Sequence, residues 1–353
     1  MNRKEITAWL REGNQQQLEE LWRLADAARR DGVGDEVHLR GLLEISNVCV
    51  RDCLYCGLRR SNKGLQRYRM TAEEIVAGAR QAAAFGYGTV VLQSGEDYGM
   101  RAGWLAGVIR RIKCETPLAV TLGLGERPLA DLLLWRKAGA DRYLLRFETS
   151  NRALYDRIHP PLPGRRSDRL AMLRRLRKLG YEIGGGVMIG IPGQTYDDLA
   201  GDIETFRDLD LDMIGVGPYL AHPATPLGSE PQQYLAAPGE QVPSTELMTY
   251  KVVALARLAC PYANIPSTTA LATLSRAGRA MGLARGANVV MPNLTPPEYR
   301  RLYEIYPGKA CLAETADACR TCLEKQILKL GRKIGAGPGG SPRRARLTKA
   351  KAG

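Results

Sequence analysis

The chain has no run of 18 apolar residues, which excludes a membrane-spanning helix. Its opening, Met1-Asn2-Arg3-Lys4-Glu5-Ile6, lacks the apolar core of a signal peptide, so a cytoplasmic protein is expected. Acidic residues are missing from 331–353. There Arg332, Lys333, Arg343, Arg344, Arg346, Lys349 and Lys351 supply half of the net charge of +14. The stretch is rich in Gly, Pro and Ala, and a flexible basic tail over 334–353 is expected. The net charge is therefore no sign of a nucleic-acid partner, and no membrane partner is expected either. A glycine-rich dinucleotide loop is also absent after the first expected strand, which argues against a doubly wound open sheet.

What is present is an ordinary globular composition, 44% hydrophobic and 25% charged, with eight cysteines. Six of them form two groups, Cys49, Cys53, Cys56 and Cys311, Cys319, Cys322. In a cytoplasmic chain such clusters bind metal more often than they form disulfides. Cys114 and Cys260 stand alone, at the ends of expected helices, and are read as packing residues.

Residues 1–35 carry helical periodicity and form an N-terminal helical segment. Short apolar runs then alternate with amphipathic stretches. The expected strands are Leu39–Ser46, Thr89–Gln93, Ala119–Leu122, Arg142–Phe147, Gly185–Ile189, Met213–Val216, Ala263–Pro266 and Ala287–Met291. Thr71 with Glu74, and Thr195 with Asp198, open two of the intervening helices as capping boxes. Eight strand–helix units over 36–295 predict an α/β fold, a full (β/α)8 barrel. Residues 296–333 follow as a C-terminal helical extension. In such a barrel, function sits at the C-terminal ends of the strands. The first cysteine group directly follows the first strand. Gln93-Ser94-Gly95-Glu96 follows the second, Arg146-Phe147-Glu148 ends the fourth, and Thr268-Thr269 ends the seventh.

The first group reads Cys49-Val50-Arg51-Asp52-Cys53-Leu54-Tyr55-Cys56, a Cys-x3-Cys-x2-Cys spacing. Three thiolates on so short a loop suit three irons of a [4Fe–4S] cubane and leave the fourth iron open to a substrate chelate. Zinc is the competing reading, but zinc usually takes four ligands, often His among them. No His or fourth Cys lies nearby, and His38 is the closest in sequence. Cys311, Cys319 and Cys322 suit a second Fe–S cluster, with zinc or empty thiols as the alternatives.

The spacing, Tyr55 before the last cysteine and Ser94-Gly95-Glu96 after the second strand resemble the radical S-adenosylmethionine superfamily. There a cluster electron cleaves S-adenosylmethionine to methionine and a 5′-deoxyadenosyl radical. Longer stretches narrow the resemblance: Asp52–Arg60, Arg67–Thr71, Val91–Asp97, Asp141–Thr149, Gly190–Thr195, Asn288–Asn293 and Leu302–Lys309. Together they resemble the HydE family of [FeFe]-hydrogenase maturases. That resemblance implies partners of the HydG and HydF type and a reductant such as ferredoxin or flavodoxin. The implied substrate is an iron–cysteine complex carrying CO and cyanide, attacked by the radical on the way to a diiron subcluster. It places Tyr55, Gln93, Ser94, Gly95, Glu96, Glu148, Arg169 and Met213 around S-adenosylmethionine. Arg146, Thr121, Thr268, Thr269, Met291 and Tyr303 fall on the substrate side. Relatives vary in the second cysteine group, so no catalytic role is expected for it. Two rival chemistries within the superfamily are a methylornithine synthase-like carbon-skeleton rearrangement and a biotin synthase-like sulfur insertion. The second lacks its sulfur donor, because Cys114 and Cys260 precede strands at the wrong end.

Overall fold

The computed structural model describes residues 1–310 and 315–342. Two helices come first, α1 (Arg3–Arg11) and α2 (Gln15–Val33). Ile6 and Leu10 of α1 are buried, and Lys251 caps the end of this helix by donating to the carbonyls of Leu10 and Glu12. The chain then alternates: β1 (Glu36–Ser46), α3 (Ala72–Ala84), β2 (Thr89–Ser94), α4 (Ala102–Glu115), β3 (Ala119–Gly123), α5 (Leu129–Lys137) and β4 (Arg142–Leu144). Next come α6 (Arg152–Ile158), α7 (Arg169–Lys178), β5 (Glu182–Gly185), β6 (Met188–Ile189), α8 (Tyr196–Asp208), β7 (Met213–Ile214) and β8 (Gly217–Pro218). Short α9 (Pro226–Ser229) leads to α10 (Glu246–Ala259), α11 (Thr269–Leu274), α12 (Gly278–Ala284), β9 (Val289–Val290), α13 (Pro297–Arg300), α14 (Ala316–Lys329) and β10 (Lys333–Ile334). Both expected capping boxes are present, Thr71 with Glu74 and Thr195 with Asp198.

The main sheet is parallel, in the order β10-β1-β2-β3-β4-β5-β7, and β9 also pairs with β1. The first three expected strands lie within a few residues of their predicted bounds. Later ones are shorter. The strand expected at Gly185–Ile189 is split, because Gly186 takes a φ of +156° and any Cβ there would meet the Gly215 carbonyl oxygen at 1.9 Å. β6 and β8 resume beyond the break as their own pair. The stretch expected as a strand at Ala263–Pro266 contributes single bridges instead, Asn264 to Met213 and Pro266 to Val289.

The expectation of a flexible tail fails over its first residues. Lys333 and Ile334 pair with the start of β1, and residues 335–341 cross the N-terminal ends of the strands. Arg142 and Thr89 donate to the Pro338 carbonyl, while Arg40 and Asn264 donate to that of Gly339. Burial beside Arg142 pulls Arg40 down to about 9, so an acceptor there is valuable. Composition counts side chains and misses such backbone acceptors. Residues 343–353, the rest of that tail, lie outside the described residues.

Candidate active site

Ser46 ends β1, and the cysteine loop begins at once. Arg67 holds the loop in shape by donating to four carbonyls, those of Asn47, Leu58, Arg59 and Asn62. Asn47 is buried and donates to the Gln66 and Leu302 carbonyls, while its own side-chain oxygen accepts from the Tyr68 amide. The end of β2 crosses closely: a Cβ on Gly95 would lie 2.3 Å from the Val48 oxygen and 2.9 Å from Cβ of Cys49. That contact explains why glycine precedes Glu96. The Glu96 amide then donates to the Cys49 sulfur at 3.4 Å.

Cys49, Cys53 and Cys56 are free thiols facing one cavity of about 340 Å³. Every other residue assigned from the sequence to cofactor or substrate lines the same cavity: Tyr55, Gln93, Ser94, Gly95, Glu96, Thr121, Arg146, Glu148, Arg169, Met213, Thr268, Thr269, Met291 and Tyr303. Burial pushes all three thiols up, Cys56 to about 12, so free thiols here stay protonated at neutral pH and must release protons on ligation. Among the described residues no three His, Cys, Asp or Glu side chains converge on a single metal ion. Buried polar atoms that face the cavity without a partner among the described residues include Arg51 Nη1, Thr121 Oγ1, Arg146 Nε and Tyr219 Oη. Five cations, Arg40, Arg51, Arg146, Arg169 and Lys309, face three carboxylates, Glu44, Glu96 and Glu148. The donor set and this surplus of unsatisfied N–H and O–H groups fit a cluster and a polar, partly anionic ligand.

Several assigned side chains are already engaged. Glu96 accepts from Arg51 Nε at 2.7 Å, from the Tyr98 hydroxyl at 3.0 Å and from the Glu126 amide at 3.0 Å. Arg169 donates to Glu126 at 3.1 Å and to the Arg146 carbonyl at 2.6 Å, and its Nη2 sits 2.7 Å from His159 Nε2. Burial and the Arg169 charge keep His159 neutral. Glu148 pairs with Arg146 at 3.1 Å and holds a left-handed φ of 63°. That conformation costs a residue with a Cβ roughly 1–2 kcal/mol. Thr268 caps α11 by accepting from the Leu271 amide, and Gln93 donates to the Tyr303 hydroxyl at 3.3 Å.

Sequence reasoning missed Arg51, Glu126 and His159, which tie this network together, and the buried Glu44–Lys309 pair beside Tyr303. Arg51 stands between Cys49 and Cys53, which was a usable signal. Glu126 and His159 carried none. The second cysteine group is divided. Cys319 is buried and Cys322 exposed on the same helix, α14, and Cys311 lies outside the described residues.

A parallel α/β sheet whose first strand leads into three free cysteines on one cavity is the arrangement expected of a radical S-adenosylmethionine enzyme, and the comparisons show that class. The Radical SAM superfamily model matches residues 43–206. The chain is 49% identical over 325 residues to the [FeFe] hydrogenase maturase subunit HydE of Thermotoga maritima, covering 92% of this chain and 89% of that one. It is 26% identical over 290 residues to 3-methylornithine synthase of Methanosarcina acetivorans, covering 81% and 77%. The crystal structure of methylornithine synthase (PylB) matches with a TM-score of 0.79 at 24% identity over 95% of this chain and 94% of that chain, a likeness of fold. The chain belongs to the HydE family of [FeFe]-hydrogenase maturases within the Radical SAM superfamily. No helix among the described residues is long and apolar enough to cross a membrane.

Proposed function

We propose that Cys49, Cys53 and Cys56 hold a [4Fe–4S] cluster, and that the cavity beside them presents S-adenosylmethionine to an iron–cysteine complex carrying CO and cyanide. When bound, the cluster supplies the electron that opens the sulfonium and yields a 5′-deoxyadenosyl radical. The chain's own residues position and shield. Ser94, Gly95, Glu96, Glu148 and Arg169 border the cysteines and hold the cofactor's polar end, with Tyr55, Gln93 and Met213 completing its walls. Arg146, Thr121, Thr268 and Thr269 offer cationic and hydroxyl donors to an anionic substrate, and Met291 and Tyr303 exclude water from the reacting centre. The observation that carries this reading is the single cavity onto which all these residues open.

The bridges at Asn264 and Pro266 support closure of the sheet into a full (β/α)8 barrel over 36–295, with 1–35 and 296–333 as appended segments. Cys311, Cys319 and Cys322 hold a second, non-catalytic Fe–S cluster. The enzyme works in the cytoplasm with HydG- and HydF-type proteins and takes electrons from a ferredoxin or flavodoxin. Reduced, reconstituted protein supplied with S-adenosylmethionine and the iron–cysteine complex should yield an adenosylated sulfur product by mass spectrometry. A rearranged amino-acid skeleton and no sulfur adduct would replace this reading with that of a mutase.

A further inference from the structure

A cluster enclosed in this cavity needs an electron from outside, so the surface over the cysteine loop decides what delivers it. Three loops meet there. The segment after the third cysteine folds back on the loop, with the Arg60 amide on the Arg51 carbonyl at 2.8 Å and the Arg59 amide on the Cys56 carbonyl at 3.1 Å. The loop after α6 abuts its other side, where the Leu54 amide donates to the Ile158 carbonyl at 2.9 Å. Arg165 from that loop lies 5.5 Å over the ring of Tyr98, which follows β2. Tyr98 donates to Glu96, whose amide donates to the Cys49 sulfur. One cation–ring contact and two hydrogen bonds therefore link an exposed arginine to a proposed cluster ligand.

Charge on these loops is one-sided. Arg60, Lys63, Arg101, Arg165 and Arg166 are exposed, and none has a carboxylate partner among the described residues. The neighbouring acids are spent elsewhere. Asp52 is held by Arg59 and Ser61, Asp97 by Arg69 and Ser46, and Asp156 by Arg152, while Asp168 caps α7. An unpaired cationic rim is poorly explained by stability, since exposed like charges repel. It suits recruitment of a partner of opposite sign, whose encounter rate it raises.

We infer that the exposed rim formed by Arg60, Lys63, Arg101, Arg165 and Arg166 is the docking surface for an acidic, low-potential, one-electron carrier protein. The inference rests on the proposed cluster at Cys49, Cys53 and Cys56. On docking, the carrier loses one electron and the cluster gains it; no bond or proton moves. Because Arg165 stacks on Tyr98, a partner seated there places its redox centre against the short path through Glu96 to Cys49.

The test uses the reconstituted full chain and two reductants, reduced flavodoxin and dithionite, with cluster reduction followed by absorbance in stopped flow. The variant carries Arg60→Glu, Lys63→Glu, Arg165→Glu and Arg166→Glu. Flavodoxin should reduce the variant about tenfold or more slowly than the wild type at low salt, and the wild-type rate should fall as salt rises. Dithionite should reduce both equally, which separates lost docking from a damaged cluster. A second variant with alanine at the same four positions should show a smaller loss in the same direction. Equal flavodoxin rates in wild type and variants, without salt dependence, would overturn the inference. Tighter binding of RNA or anionic vesicles than of flavodoxin, lost in the same variant, would overturn it too. A wild type that dithionite cannot reduce would remove the proposed cluster, and the docking surface with it.

Discussion

Arg51 Nε and Glu96 Oε1 lie 2.7 Å apart, and both side chains are closed off from solvent. Arg51 also pairs with Glu126 at 3.1 Å, which in turn binds Arg169. The chain thus buries two arginines and two glutamates behind its cysteines. Taking charges out of water is expensive, so each depends on the others. Replacing Arg51 with Met takes from Glu96 its nearest cation and leaves Arg169 alone to balance both carboxylates, and a loss of about 3 kcal/mol in unfolding free energy is expected. Urea unfolding of the iron-free chain measures it. The double change Arg51→Met with Glu96→Met should recover part of the loss.

Asp202 provides a pH test away from the cysteines. It is buried on α8 and accepts from Ser150, Thr149 and Gln194. Burial pushes it up from 3.8 to about 7. Folded chains keep this proton to about pH 7, whereas unfolded chains release it near 3.8. Stability should therefore fall as pH rises from about 4 to about 7, by up to roughly 1.4 kcal/mol per pH unit from this group. Asp202→Asn should flatten the profile in that window. A variant profile as steep as the wild type would refute the assignment.

The crossing of residues 335–341 depends on Gly88, where a Cβ would lie 1.5 Å from the Gly337 carbonyl oxygen. Gly88→Val should unseat the segment and leave Arg40 and Arg142 without the acceptors they bind at Gly339 and Pro338. Faster amide exchange and proteolysis confined to residues 335–342 are expected. Unchanged protection there would contradict the anchoring.

Much of the site was legible because its signals are local. The cysteine spacing, Ser94-Gly95-Glu96 and the capping boxes each occupy a few neighbouring residues, and strand ends in a parallel α/β fold share one rim. The rest depends on contacts distant in sequence. Nothing near Glu126 announces a bond to Arg169 or Arg51, and nothing near Glu148 announces a left-handed backbone. The shortened later strands reflect close backbone approach at Gly186, which periodicity does not register. The anchored tail was hidden because its bonds come from carbonyls that every residue carries.

The second cysteine group should be separable from turnover. Cys322 is exposed on α14, and neither it nor Cys319 borders the main cavity. Replacing Cys311, Cys319 and Cys322 with Ser should lower iron content by up to one cluster per chain and leave turnover largely intact. Loss of activity with the first cluster still loaded would give the second one a catalytic role.

The most direct test of the whole account is 5′-deoxyadenosine released from S-adenosylmethionine by the reduced, reconstituted protein, compared with Cys49→Ala, Cys53→Ala and Cys56→Ala variants. The wild type should release 5′-deoxyadenosine with methionine, and each variant should release none above background. Cleavage that survives loss of these cysteines, or an iron-loaded and reduced wild type that leaves S-adenosylmethionine intact, would contradict it.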